Sequence, residues 1–139
     1  MVLHITPGQH AALATRRAVE RMAEELPLHE ISLAEWPALA IQRLAKEAYD
    51  RAQAWGLVRL PDHLFFALTM LRVHPRFDEV PAIRSLLQAM QADGTAPQDK
   101  VAHLVDELPG EAWNAAGTLG GYDDYFRRLL RPPEEGAPL

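Results

Sequence analysis

Leu57–Ile83 reads LVRLPDHLFFALTMLRVHPRFDEVPAI. Pro61 and Asp62 open a helix there, the proline by its fixed φ and the carboxylate by facing the positive end of the helix dipole. From Leu64 to Leu71 only Thr69 interrupts the apolar side chains. A helix apolar on nearly every side has no face for water and must be enclosed by other helices. His74-Pro75 stops it, because the residue before a proline avoids the helical region, and Pro81 starts the next. The stretch therefore predicts a central buried helix over roughly 61–74. Cutting a large side chain such as Phe65 or Leu68 back to alanine there is expected to cost about 2–5 kcal/mol.

The flanking sequence supplies the enclosing helices. Thr6-Pro7-Gly8-Gln9 combines an N-cap, a proline at the first helical position and a capping-box glutamine. Ala11, Ala18, Val19, Met22 and Leu26 then form one stripe, and Pro27 is expected to end that helix. Ser32 with Glu35 forms a second capping box, opening a long helix to about Trp55, with Pro37 near its first turn. Ile41, Ala45, Ala48, Ala52 and Trp55 line its inner face, and Gly56 terminates it. A short extended connector, 57–60, leads into the central helix. A fourth helix carries Val80, Ile83, Leu87 and Met90 and closes at Asp93-Gly94. A fifth starts at Pro97, with Val101, Leu104, Val105 and Leu108 inward. A short piece holds Trp113, glycines 117, 120 and 121 make a loose joint, and Tyr122–Leu130 forms a last amphipathic helix. Val2–Ile5 reads as an extended lead and Pro132–Leu139 as a frayed tail. No segment alternates as a strand would, and no internal repeat is visible. The expected fold is all-α, a single-domain bundle of about five to seven helices over 1–131.

At 139 residues with 48% apolar side chains, the chain is one domain large enough to bury a core. The N-terminus lacks the basic-then-apolar layout of a signal peptide, and no run approaches the roughly 20 residues that span a bilayer. The expectation is a cytoplasmic protein with no membrane partner. Cysteine is absent, which removes disulfides and thiolate chemistry. A net charge of −5 speaks against nucleic acid, which calls for a concentrated basic face. The basic residues are instead matched by acids four positions away, as in Arg16/Glu20, Arg21/Glu25, Arg43/Glu47, Lys46/Asp50 and Glu47/Arg51.

Chemistry-bearing patterns are sparse. The histidines at 4, 10, 29, 63, 74 and 103 include no i, i+4 pair and no HExxH, so no metal site is expected. Ser32 reads as a cap and Ser85 lacks a GxSxG elbow. Gly117-Thr118-Leu119-Gly120-Gly121 has neither the preceding strand nor the lysine of a phosphate loop. The acidic doublets at 106–107, 123–124 and 134–135 point in different directions on a helix, which suits solvated faces better than a shared acid–base site. No catalytic residue, cofactor or metal is assigned, and the chain is expected not to be an enzyme.

Two features are candidate partner contacts. Tyr122, Tyr125, Phe126, Leu129 and Leu130, with Arg127 beside them, combine the aromatic and arginine types enriched in interface hot spots. The same element could instead fold back and cap the core. Phe77, in the His74–Asp78 turn, is the other; its ring could equally plug the space between the third and fourth helices, with Asp78 capping the fourth.

The pattern LHITPGQ, a long charged helix, AWGLVRLPDHLFFALTMLRVHPRFDEVPAI and QADGTAPQDKVAHLV resembles a family of small bacterial helical proteins. Members show a leading LxxTxxQ, an aromatic-glycine helix end and a helix of the FxxLMFxLGPxFD type. The match covers roughly residues 3–116 and is best over Leu68–Asp78, where Phe77-Asp78 is kept and Val73-His74 replaces Leu-Gly. The family resembles adaptor-type accessory proteins encoded near type VI secretion effectors and spike proteins. The resemblance implies a monomeric or homodimeric adaptor or co-chaperone whose protein partner is a secreted effector or spike component. An immunity protein that blocks a toxin is the alternative, and a small enzyme with a site invisible in sequence the second.

Overall fold

The computed structural model describes residues 6–131; the extended lead and the tail read at the two ends lie outside them. Every regular element among these residues is helical. Seven α-helices follow in order: α1 (Pro7–His29), α2 (Ala38–Ala54), α3 (Leu60–Arg72), α4 (Pro81–Ala92), α5 (Pro97–Glu107), α6 (Gly110–Gly117) and α7 (Tyr122–Leu130). Two 3-10 turns, Ile31–Glu35 and Phe77–Glu79, join α1 to α2 and α3 to α4. No helix among the described residues is long and apolar enough to cross a membrane.

The central helix is where the sequence put it. α3 packs on both α1 and α2, which also pack on each other. Phe66, Ala67 and Met70 are fully enclosed, whereas Phe65 and Leu68 are only half-buried. The Phe66 ring lies 4.8 Å from that of Phe77, which stacks in turn on Trp113 of α6 at 6.2 Å. Phe77 thus fills the space between α3 and α6.

Helix starts follow the local signals. Gln9 N–H donates to Thr6 Oγ1 at 3.1 Å and Thr6 N–H to Gln9 Oε1 at 3.0 Å, the reciprocal capping box. Helix stops at Gly56 and Gly94 use positive φ, +77° and +65°. At each, the N–H two residues past the cap reaches back into the last turn, from Leu57 to Ala52 and from Thr95 to Met90.

Four local expectations are corrected. Pro27 does not end α1, which runs on to His29. A proline that close to the end forfeits a single backbone bond, and Leu26, wholly buried, anchors the turn. Ser32 and Glu35 do not cap a helix. Ser32 Oγ donates to Glu30 Oε1 instead, and Trp36-Pro37 delays α2 to Ala38. Val105 points outward, because α5 is rotated to bury Lys100 and Leu104. The inner stripe of α1 is buried only from Met22 onward, and Ala11 is exposed. At 23 residues α1 is about 34 Å long against about 26 Å for the 17-residue α2, so α2 cannot cover it along its whole length.

Candidate interaction surface

α7 folds back onto the body. Phe126 is buried, with Trp36 5.9 Å away and the Tyr122 and Tyr125 rings 4.8 and 5.0 Å away. Tyr122 Oη donates to the Leu71 carbonyl at the end of α3. Arg43 of α2 donates to the Leu129 and Arg131 carbonyls at 3.2 and 2.7 Å, closing the C-terminus of α7. Burial, with the Glu47 carboxylate nearby, pushes the Tyr125 phenol up to about 12, and burial raises Tyr122 as well. Both are neutral hydrogen-bonding groups at any physiological pH.

Two of the partner contacts read from the sequence are therefore corrected as accessible residues. Phe77 has no exposed surface and Phe126 almost none, because aromatic neighbours enclose them. Tyr122, Tyr125 and Leu129 are half-buried packing residues. Leu130 and Arg127 remain at the surface, Arg127 paired with Asp124 at 3.1 Å.

A polar cluster that periodicity could not reveal lies beneath α3. Asp78 does not cap α4; it is buried and accepts from Arg51 Nη2 and from Trp55 Nε1, the latter at 2.9 Å. Arg51 also donates to the Pro75 carbonyl and sits 5.2 Å above the Phe66 ring. Next to it, Arg76 N–H donates to His74 Nδ1 at 3.0 Å, so the His74 proton is on Nε2, which faces the Gly120 carbonyl at 3.1 Å. These groups saturate one another and tie α2, the turn after α3 and the joint before α7 into one piece. His63 differs: it is buried edge-on to Tyr49 at 4.8 Å, and its Nε2 has no partner. Burial holds its pKa below the usual histidine value, against smaller opposing contributions from the Leu57 backbone and Asp62. No group of three His, Asp or Glu among the described residues is arranged to hold a metal ion.

Surface apolar groups concentrate elsewhere. Leu28 and Ile31, three residues apart where α1 turns into the 3-10 segment, are 79% and 84% exposed. The backbone between them is clamped. Arg72 of α3 donates to the His29 carbonyl at 2.8 Å and to Glu30 Oε2 at 3.0 Å; the Arg72 bond, followed by that from the Ser32 hydroxyl, holds the Glu30 carboxyl below its usual pKa. The corner thus carries two large apolar side chains in water. Along the antiparallel α1/α2 hairpin run two adjoining grooves of about 630 and 310 Å³, which share Glu20 and Gln42. Ala12, Thr15 and Val19 line the first, with Arg16 and Lys46; Ala23, Ala38 and Ile41 line the second, with Glu24.

No protein-family model matches the chain, and neither curated proteins nor solved structures give a match.

Proposed function

We propose that the protein is a non-catalytic, protein-binding accessory factor of the adaptor or co-chaperone kind, and that the Leu28–Ile31 corner is its partner contact. The observation that carries this is the exposure of both side chains beside a backbone to which Arg72 hydrogen-bonds. Covering each is worth about 1.5–3 kcal/mol before the cost of ordering the two side chains is subtracted. The resemblance centred on Leu68–Asp78 supplies the class of partner, a type VI secretion effector or spike component.

The test is affinity capture of the tagged full chain from its host, with mass spectrometry, run beside a Leu28→Asp, Ile31→Asp double variant. An effector or spike component recovered by the wild type and lost by the variant supports the reading. Equal recovery by both moves the contact elsewhere. A captured toxin whose lethality the chain neutralises replaces the adaptor reading with immunity.

A further inference from the structure

The Leu28–Ile31 corner has a polar neighbour that narrows what can dock there. Leu28 follows Glu24 by four residues, so the two side chains adjoin on one face of α1. Glu24 also lines the smaller groove, about 310 Å³, with Ala23, Ala38 and Ile41. The rest of that lining is Glu20 and Gln42, and no basic side chain takes part. The groove therefore lies one turn from an exposed leucine and combines an apolar wall with a carboxylate.

Most acids around the corner are already compensated within the chain. Glu20 pairs with Arg16, Glu25 with Arg21 and Glu30 with Arg72, at 3.4, 3.3 and 3.0 Å. Glu24 has no ion-pair partner among the described residues, and neither has Glu35, which ends the 3-10 turn that Ile31 begins. Arg17, the nearest arginine of α1 outside those pairs, is seven residues back from Glu24, about 10 Å along the axis, where salt screens it. The helix dipoles offset each other, because the link joins the negative end of α1 to the positive end of α2. An incoming arginine suits this arrangement. Its aliphatic stem covers the apolar wall while its guanidinium reaches Glu24, whereas an incoming carboxylate meets Glu24 unopposed. Given the corner as the partner contact, proposed above, we infer that the docking segment is basic as well as apolar. It sets an arginine into the groove of Ala23, Ala38 and Ile41, against Glu24, as its apolar side chains cover Leu28 and Ile31.

Amide chemical shifts of the isotope-labelled full chain test this. The probes are a synthetic amphipathic helix of leucine and arginine and its counterpart of leucine and glutamate. The arginine peptide should move the amides around Glu24, Leu28, Ile31 and Ala38, and the glutamate peptide should leave them in place. Glu24→Lys should weaken the arginine peptide by about threefold or more, since reversal removes one attraction and adds a repulsion of similar size. Asp106→Lys makes the same change in net charge at an exposed position of α5 and should leave the affinity as it was. Both positions are exposed, so both variants should keep the wild-type circular dichroism. Corner amides that stay still toward the arginine peptide overturn the inference. Equal weakening by the two variants also overturns it, because the peptide then answers only to the net charge of −5. Equal shifts from both peptides overturn it as well, yet leave Leu28 and Ile31 as an apolar contact. That contact stands or falls separately, by the capture experiment with Leu28→Asp, Ile31→Asp.

Discussion

Asp78 shows how much one carboxylate can hold. It accepts from Arg51 in the last turn of α2 and from Trp55 at its C-cap, and it lies in the turn that seats Phe77. Asp78→Ala would leave a largely buried guanidinium and an indole N–H without their acceptor, at a cost of about 3–5 kcal/mol; chemical denaturation should show it as a lower midpoint. Phe66→Ala should lose a similar amount, about 3–5 kcal/mol, whereas Leu68→Ala, half-exposed, should fall below it. His63 makes the fold pH-dependent. Its proton is bound more weakly in the folded state than in the unfolded chain, so the unfolded chain protonates first on acidification. Stability is full above about pH 6.5, the ordinary histidine pKa, and declines as pH falls toward the lowered folded-state value. His63→Phe keeps the packing against Tyr49 and should flatten the stability profile across that window. A variant as steep as the wild type would remove His63 from the account.

Between elements, the recurrent device is a helix C-terminus closed by a side chain from elsewhere. Arg72 serves α1, Tyr122 serves α3 and Arg43 serves α7. The end of α2 receives two: Gln91 on the Ala54 carbonyl at 2.7 Å, and Lys100 on the Trp55 and Gly56 carbonyls at 3.3 Å. Lys100 is buried there, its charge facing the negative end of the helix dipole. Gly56 and Gly121 separate strain from contact. Both have positive φ, but a Cβ at Gly56 would come 2.4 Å from Lys100 Nζ, while one at Gly121 meets nothing within 4 Å. Gly121→Ala should cost about 1–2 kcal/mol of backbone strain alone, and Gly56→Ala the same strain plus whatever Lys100 loses when its flexible end swings away from the Trp55 and Gly56 carbonyls, as thermal melts of the two would show. This level also marks the limit of sequence reading. Pro7, Pro81, Pro97, Gly56 and Gly94 act on their own turn, so the helix bounds they set were legible. Arg43 and Arg51 were matched with Glu47, four positions away, yet their partners lie across the fold at Leu129 and Asp78. Nothing local encodes that choice. The outward turn of Val105 has the same origin, since Lys100 sets the rotation of α5 from the far end of α2.

For the whole molecule, the question left open by the sequence was whether Tyr122–Leu130 belongs to the core. Phe126 against Trp36, and the bonds from Arg43 and Tyr122, answer that it does. Truncation after Gly121 should therefore lower the melting temperature and broaden the transition; an unchanged melt would return α7 to the list of detachable elements. The interaction surfaces were harder to read. Leu28 and Ile31 look in sequence like ordinary members of an apolar pattern, and only the packing shows that nothing among the described residues covers them.

The closure of α3 by α7 has a consequence in time. Synthesis runs from α1 to α7, so the Leu71 carbonyl, the His74 ring and Trp36 are all made well before Tyr122, Gly120 and Phe126 that complete them. A nascent chain that has reached α6 already contains its central helix, but with one end unsealed and an indole uncovered. The growing chain thus passes through a stage in which it is sticky and incomplete, and the arrival of α7 ends that stage in one step.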